Sequence, residues 1–524
     1  MHRLRSLSHL AAALAVIVVA AACGGTSGGP GGPGGPGTGI TGVTITPSTG
    51  TVPVGDTLPL DATVQPSGAN QAVTWSTSSS AVATVGTNGV VTGVGPAQVT
   101  ITATSQADPS RSASVTLDVI CTTYTPLQFP TFVSSDTTVP PGCHALDAIK
   151  RVTDGATLTF EGPAVVRATG NAAGIRVEDG SLRSLGSAAT PILFTSQAAT
   201  PGSWHGFRIV SGTSGNELRH TTIEYAGQPG ATAFHLRGGG DLFTGVRVEQ
   251  NASVTLDSVT IRRTGAGTGS GTEYGAGLFL ERAAAVTMQG TNRFVENVGP
   301  GVHVTAPQIA MLSSSADYGS AGNVNGVNAI LVNDDSTSAP PAVTSSATWS
   351  DLGVPYRLAR TVTIQGSGTL IDVGPAARFE AEPGAAISVQ DGAGFRADGG
   401  STPADRVVFT GTTDTAGAWI GLHINTDNVA NELRNTRIAY AGQGTLGFQN
   451  LGLEAAVRVG DGVSAGIGGG QQARLVFVDN EVHASAADGL RLENAGTVID
   501  PVAAQLESQN TFTQIAGQNV NDQR

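Results

Sequence analysis

Short runs of alternating apolar and polar residues fill positions 40 to 120. Gly, Pro, Asn and Ser separate the runs, which read "GVTITP", "TLPLDATV", "AVTWSTS", "AVATV", "GVVTGV", "AQVTITATS" and "SASVTLDVI". Alternation with a period of two is typical of strands buried on one side. The segment therefore predicts about seven strands in a small two-sheet β-sandwich, with Trp75 packed between the sheets.

A finer pattern begins near residue 145, where a short strand is predicted every 8 to 12 residues. Examples are "TLTF", "AVVRAT", "GIRVEDG", "PILFTS", "GFRIV" and "TTIEYAG", and no helical periodicity persists. Parallel strands need cover on both faces, and a solenoid supplies it by stacking coils around a shared apolar interior. Asparagine side chains at the corners can then pair from coil to coil, and Asn251, Asn297 and Asn480 are the candidates.

This region is duplicated. The stretch "ILFTSQAATPGSWHGFRIVSGTSGNELRHTTIEYAGQ" at 192–228 aligns with "VVFTGTTDTAGAWIGLHINTDNVANELRNTRIAYAGQ" at 407–443, an offset of 215. Upstream, residues 161–180 align with 373–392 at an offset of 212. Two tandem modules are therefore predicted, at 145–345 and 346–524.

Two family resemblances follow. Residues 40–120 resemble the bacterial Ig-like group 2 domain through Val54-Gly55, "VTWSTSSSAVATV", "GVVTGV" and "QVTITATS". Residues 145–524 resemble the right-handed parallel β-helix of the pectate-lyase-like superfamily, through a W-x-G element followed by "ELRHTTIEYAG" or "ELRNTRIAYAG". The second resemblance implies coils of about 22 residues. A β-propeller is disfavoured because no period of about 40 to 50 residues is present.

The N-terminus has the pattern of an export signal. Arg3 and Arg5 precede the apolar run "LAAALAVIVVAAA" at 10–22, which is too short to span a bilayer comfortably. Ala20-Ala21-Ala22-Cys23 resembles the lipobox of bacterial lipoproteins, in which the cysteine carries the lipid. Ala20 stands where that family usually has Leu, and an ordinary signal peptide cleaved nearby is the alternative.

A Gly/Pro-rich tether at 23–39 has almost no apolar side chains to bury and would hold the folded part away from the lipid. By analogy with enterobacterial sorting, Gly24 after the cysteine favours the outer membrane. In an oxidising compartment the two remaining cysteines, Cys121 and Cys143, predict a disulfide, and they bracket a predicted connector at 121–144.

The charge balance argues against nucleic-acid binding. The chain has 27 Lys and Arg against 40 Asp and Glu, a formal net charge of −13. An acidic surface repels phosphate backbones. The membrane, through the lipid, and a polysaccharide or cell-surface partner are the predicted partners, and the sequence leaves the oligomeric state open.

The sequence supplies no catalytic set. The G-D-D, G-H-G and R-I-K elements of polygalacturonase-like enzymes and the W-I-D-H element of the lyases are absent, and Asp334-Asp335 is the only D-D pair. His205 follows Trp204, but the second copy has Ile420, so a surface substitution is predicted there.

Two repeated charged patterns have structural interpretations. Glu217 and Glu432, with Arg219 and Arg434, are predicted to form coil-to-coil ion pairs. Asp179 and Asp391 occur in repeated D-G turns, where a calcium role is the alternative to a plain turn.

The predicted fold class is all-β: an Ig-like β-sandwich followed by a right-handed parallel β-helix of two tandem repeats. The predicted function is a non-enzymatic, adhesin-like surface lipoprotein without metal or cofactor. The alternative is a polysaccharide lyase or glycoside hydrolase of the β-helix superfamily.

Overall fold

The computed structural model describes residues 39–210, 212–228, 243–265, 275–320, 322–333, 340–442, 455–460, 472–493 and 497–524. The predicted signal segment, Cys23 and the Asp334-Asp335 pair lie outside these ranges. Within them, no helix has the length and apolar character needed to cross a membrane.

The N-terminal domain is a β-sandwich whose short strands alternate between buried and exposed side chains. Its strands are β1 (Gly42–Thr46), β2 (Gly50–Pro53), β3 (Thr57–Pro59), β4 (Asp61–Gln65), β5 (Val73–Thr77), β6 (Ala83–Val85), β7 (Val90–Gly93), β8 (Gln98–Ser105) and β9 (Ser112–Ile120). They form sheets ordered β2-β9-β8-β5, β3-β7-β6 and β1-β4. The sandwich thus has nine strands where about seven were predicted.

Trp75 differs from the prediction. Val64, Val91, Ile101 and Leu117 form the fully buried centre, whereas Trp75 packs against this core while only partly buried. The reason is its place on β5, which lies at the edge of its sheet and is covered less completely than the central strands.

The second domain begins before residue 145. Its first strands are β10 (Thr125–Pro126), β11 (Phe132–Val133), β12 (Thr137–Val139), β13 (Gly142–Leu146), β14 (Ile149–Val152), β15 (Thr157–Glu161), β16 (Ala164–Ala168), β17 (Gly174–Val177), β18 (Ser181–Leu185), β19 (Ile192–Ser196), β20 (Phe207–Ile209), β21 (Asn216–Arg219), β22 (Thr221–Glu224), β23 (Val246–Val248), β24 (Ser253–Asp257), β25 (Thr260–Arg262), β26 (Leu278–Leu280), β27 (Ala285–Gln289), β28 (Arg293–Val295), β29 (Val302–Val304) and β30 (Ile330–Val332). A 3₁₀-helix, η1 (Ala306–Met311), separates the last two.

The second sequence copy continues the same pattern. Its strands are β31 (Ala347–Trp349), β32 (Tyr356–Leu358), β33 (Val362–Gln365), β34 (Leu370–Val373), β35 (Arg378–Ala381), β36 (Ala386–Gln390), β37 (Gly394–Asp398), β38 (Val407–Gly411), β39 (Gly421–Asn425), β40 (Glu432–Arg434), β41 (Thr436–Ala439), β42 (Ala455–Val459), β43 (Arg474–Val478), β44 (Glu481–His483), β45 (Asp488–Leu492), β46 (Val498–Asp500), β47 (Thr511–Thr513) and β48 (Val520–Asp522). The helices are η2 (Pro403–Asp405) and α1 (Ala503–Gln509).

These strands form a parallel β-helix with three strands in each coil. Strands pair in parallel with the strand three positions later, as β13 does with β16, β14 with β17 and β15 with β18. The faces that contain β13, β14 and β15 are called the first, second and third faces. The second face is one unbroken sheet from β11 to β47, so both copies share one β-helix. The predicted all-β fold is confirmed.

The segment predicted as a connector, 121–144, is instead the first coil. Its strands β10, β11 and β12 pair with β13, β14 and β15. The predicted disulfide is confirmed: Cys121 directly follows the last sandwich strand and is bonded to Cys143 in β13. Because it joins the end of the sandwich to the second coil, the bond encloses the first coil.

Coil length is more variable than the predicted 22 residues. Gly142 pairs with Ala164, a spacing of 22, but Arg437 pairs with Glu481, a spacing of 44. The strands stay short throughout, so the extra residues lie in the connections at the corners. Hydrogen bonding between coils sets the length of the strands in a solenoid, whereas the corner connections can differ in length from coil to coil.

The two copies are turned relative to each other. β16 aligns in sequence with β35, and β17 aligns with β36. β16 lies on the first face, whereas its counterpart β35 lies on the second face. β17 lies on the second face, whereas its counterpart β36 lies on the sheet that follows the second face in chain order. Matching residues of the copies therefore project from neighbouring faces.

The interior is a set of stacked apolar rows. On the second face Ile175, Phe207, Val246 and Leu278 are register partners in successive coils, and all are buried. Such rows exclude water from the interior along the β-helix. Each Å² of apolar surface removed from water stabilises the fold by about 25 cal/mol.

Asparagine side chains join the coils as predicted at two of three positions. Asn297 Oδ1 accepts from the Thr264 amide at 3.1 Å. Asn480 Oδ1 accepts from the Thr436 amide at 2.9 Å while its Nδ2 donates to the Leu433 carbonyl at 2.8 Å. The prediction for Asn251 is wrong: this residue is exposed in a turn with φ +62°, a conformation that asparagine tolerates better than most residues.

We expect Asn480→Ala to lower the free energy of unfolding by about 2 to 4 kcal/mol, because it leaves two buried backbone groups without partners. Urea unfolding followed by circular dichroism measures the change. Asn251→Gly is the matched control, since glycine adopts positive φ freely, and it should change stability by less than about 0.5 kcal/mol. Equal losses of unfolding free energy in the two variants would contradict the interpretation that Asn480 joins adjacent coils at a corner.

Candidate functional site

Comparison of the two copies distinguishes residues kept for folding from candidate functional residues. A feature that both copies keep is interpreted as serving the shared fold. Trp204 and Trp419 are both buried. The indole Nε1 of Trp204 donates to the Glu224 carbonyl at 2.8 Å, and that of Trp419 donates to the Ala439 carbonyl at 2.8 Å. The repeated tryptophan therefore ties one coil to the next.

The glycine of the W-x-G element has a structural role as well. Gly206 has φ +80° and Gly421 has φ +130°, a region that favours glycine. A Cβ atom on Gly206 would lie 2.3 Å from the Gly245 carbonyl oxygen, and one on Gly421 would lie 2.5 Å from that of Ala456. The element marks a place where the backbones of adjacent coils approach too closely for any side chain.

His205 is a packing residue. The surface substitution predicted there is wrong, because His205 is only 5% exposed and Ile420 in the second copy is 1% exposed. Its Nδ1 lies 3.2 Å from the Gln228 carbonyl oxygen. Burial lowers the pKa of His205 below its ordinary value, and the hydrogen bond only partly opposes this effect.

The repeated Glu and Arg pairs are coil-to-coil contacts only in part. Glu217 binds Arg183 of the preceding coil at 2.7 Å. In the second copy, Glu432 instead binds Arg434 of its own strand at 2.8 Å. The predicted coil-to-coil pairing is therefore wrong at Arg434, whose partner Glu432 lies two residues away on the same side of one strand. Arg219 likewise lies 3.9 Å from Glu217 of its own strand.

A further shared pair escaped the sequence comparison. Arg247 on β23 binds Glu281 on β26, and Arg458 on β42 binds Glu493 on β45. The segments "GLFLERA" at 277–283 and "GLRLENA" at 489–495 are offset by 212 and contain the two glutamates. Their presence in both copies indicates a structural role.

One cleft lies on the first copy. It has a volume of about 340 Å³, opens to solvent, and occupies the corner between the second and third faces across three successive coils. We call it the corner cleft; its lining residues are Gly155, Glu178, Asp179, Gly180, Ser181, Gly212, Thr213 and Ser214. The D-G turn at Asp179 thus forms part of a polar depression that fits a hydroxylated ligand.

A chain of contacts joins this cleft to an exposed aromatic ring. Phe132 is 51% exposed, and the Arg151 guanidinium lies 4.8 Å from the centre of its ring. Arg151 binds the Glu178 carboxylate at 2.6 Å, and Arg176 binds the same oxygen at 2.9 Å. The ion pairs therefore hold Glu178, which lines the cleft, in a fixed position beside the ring.

The second copy has lost these groups. Thr363, Ser388 and Gln390 stand where the first copy has Arg151, Arg176 and Glu178, although the turn Asp391-Gly392 is kept. Asn428, the counterpart of Thr213, donates from Nδ2 to the Gly392 carbonyl at 2.9 Å across the same corner. The sequence signal for the site was this local departure between "IRVEDG" and "ISVQDG".

The part of the chain that the structure describes adds no metal-binding cluster to this cleft. Within the described ranges, no group of three His, Cys, Asp or Glu side chains is placed to hold a metal ion. Asp391 is a turn residue with φ +53°.

We expect His205→Ile, which installs the residue of the second copy, to reduce the acid sensitivity of folding. A buried histidine with a lowered pKa stays neutral when folded, while the unfolded chain takes up a proton below about pH 6.5, so acid favours unfolding. Urea unfolding at pH 7.5 and pH 5 should show a larger loss for the wild type than for the variant. An equal loss in both proteins would contradict the assignment of His205 as a buried neutral side chain.

Comparison with known proteins identifies the N-terminal domain. The family described as Bacterial Ig-like domain (group 2) matches residues 39–116. A 3-O-alpha-D-galactosyl-alpha-L-arabinofuranosidase of Bifidobacterium longum subsp. longum is 55% identical over 67 residues, which are 13% of this chain. The matched residues span only 6% of that protein's length. Residues 39–116 thus belong to the group 2 bacterial Ig-like family, and in this chain they precede a parallel β-helix.

Proposed function

We propose that this protein is displayed on the bacterial cell envelope by a lipid on Cys23 and binds polysaccharide in the corner cleft without cleaving it. The observation that carries the proposal is the cleft with exposed Phe132 beside it and with an Arg151–Glu178 pair that Thr363 and Gln390 replace in the second copy. After duplication, a group kept for folding alone would be expected in both copies.

The chemistry of the cleft suits a sugar chain. Carboxylate, hydroxyl and backbone groups at its surface can exchange hydrogen bonds with sugar hydroxyls. An exposed aromatic ring beside them gives an apolar surface for the C–H face of a sugar, and aromatic side chains often dominate binding energy. Three successive coils contribute residues to this surface, so it extends across the coils and matches the extended shape of a polymer.

Display on the envelope rests on the N-terminal pattern. The positive residues, the apolar run and the small residues before Cys23 support export and lipid attachment, with the outer membrane as destination. The Gly/Pro-rich tether and the Ig-like domain then hold the β-helix away from the membrane.

Absence of cleavage is the second part of the proposal, since the G-D-D, G-H-G, R-I-K and W-I-D-H elements are missing from the sequence and the N-T-D triplet at 425–427 stands without them. The alternative is a lyase or hydrolase, and the partial relative named as a glycosidase is the observation that favours it. Reducing-end and 235 nm absorbance assays during the binding experiments distinguish the two. Sustained product release would overturn the non-enzymatic part of the proposal.

Phe132→Ala and Arg151→Ala should each weaken polysaccharide binding about tenfold, through loss of the ring surface and of the anchored Glu178. Calorimetric titration of the full chain with the polysaccharide that binds best in a glycan panel measures this. Arg183→Ala is the matched control, because Arg183 also binds a glutamate but lies outside the cleft. An unchanged affinity in both cleft variants would exclude the corner cleft as the site.

Cys23→Ser should abolish incorporation of labelled fatty acid and move the protein from the membrane to the soluble fraction, because the acyl chains supply the membrane affinity. Fractionation of an expressing Gram-negative host measures both effects. The double variant Cys121→Ser/Cys143→Ser should still be acylated. Labelling that persists in Cys23→Ser would disprove the lipid assignment.

A further inference from the structure

We infer that the corner cleft selects neutral polysaccharides over anionic ones; the inference rests on the proposed function and names the ligand class. The charged side chains at the cleft and its rim provide the first argument. Arg151 and Arg176 give two positive charges, and Glu178 and Asp179 give two negative charges, a net charge of zero. The cleft therefore has no excess of positive charge with which to attract a carboxylated or sulfated sugar.

The two arginines are already committed to a protein carboxylate. Arg151 and Arg176 share one oxygen of Glu178, and the Arg176 side chain is only 5% exposed. An anionic ligand would have to compete with Glu178 for the Nε and Nη2 donors of Arg151, and displacing Glu178 would leave a carboxylate without its partners in a partly buried place. The arginines therefore position Glu178 rather than offer charge to a ligand.

The remaining groups favour hydroxyl ligands. Asp179 lines the cleft and has no ion-pair partner in the part of the chain that the structure describes, so its oxygens can accept hydrogen bonds from sugar hydroxyls. The Thr213 hydroxyl donates to the Val210 carbonyl at 2.8 Å and accepts from Asn216 Nδ2 at 3.5 Å, which leaves one lone pair facing the cleft that it lines.

The aromatic ring sets the direction of the ligand. Phe132 pairs with Arg151, and Arg151 pairs with Arg176, so the ring lies two coils from the coil of Glu178. Two coil steps span about 10 Å. A polymer that covers both the ring and the cleft would therefore run across the coils, roughly along the axis of the β-helix, and not along a strand.

The test compares pairs of polymers that share a backbone and differ in charge. Hydroxyethyl cellulose is paired with carboxymethyl cellulose, dextran with dextran sulfate, and methyl-esterified with de-esterified polygalacturonate. The full chain is titrated calorimetrically with each at 20 mM and 300 mM NaCl. For the backbone that binds, we expect the neutral member to bind at least about tenfold tighter at low salt, with an affinity that changes less than about twofold between the two salt concentrations.

Asp179→Lys tests the same idea from the protein side. The exchange makes the net charge of the cleft positive and should shift preference toward the anionic member. We expect the affinity for that member to rise about tenfold at 20 mM NaCl and this gain to disappear at 300 mM NaCl. Asp391→Lys, at the equivalent turn of the second copy, should leave both affinities unchanged. Circular dichroism and thermal unfolding of both variants confirm that they fold.

The outcomes separate the two proposals. Tighter binding of an anionic member, weakening with salt, would overturn the inference of neutral selectivity and leave polysaccharide binding intact. Failure of every neutral and every anionic member to bind the wild-type chain would overturn the proposed function, and the inference with it. Equal responses of Asp179→Lys and Asp391→Lys would show that the corner cleft does not set the selectivity.

Discussion

Parallel hydrogen bonding between strands of successive coils is the interaction on which this structure depends; most strands pair with the strand three positions later, whereas β30 pairs with β29 and β32. It builds three faces around one apolar interior and stacks equivalent side chains in rows about 4.8 Å apart. The strands need only three to five residues to take part, so the corners can hold connections of any length. Asn297 and Asn480 satisfy backbone groups at the corners where the ladder is interrupted.

Duplication within one uninterrupted β-helix gives the chain its own internal comparison. Buried Trp204 and Trp419, and the Arg247–Glu281 and Arg458–Glu493 pairs, recur because the coils of both copies need the same contacts. The Arg151–Glu178 pair beside the corner cleft does not recur, because the second copy has Thr363 and Gln390 at the matching positions. The relative turn of one face means that the equivalent corner of the second copy projects in another direction.

Prediction from the sequence succeeded where one local pattern decides the outcome and failed where neighbours decide it. Alternation and repeats were sufficient for the all-β class, the Ig-like domain and the duplication. Burial was another matter: His205 and Trp75 were both misplaced, because burial depends on which strands lie alongside. The candidate site was not predicted, since Phe132, Arg151 and Glu178 come from three different coils.

The sequence by itself determined the strand periodicity, the two copies and the cysteine pair, because each follows from the order of residues along the chain or from a count of residue types. Only the tertiary structure decided the three-strand coil, the inclusion of 121–144 in the first coil, and the turn between the copies. The physical reason is that corner connections vary in length, so spacing along the chain does not reveal which residues become neighbours across coils.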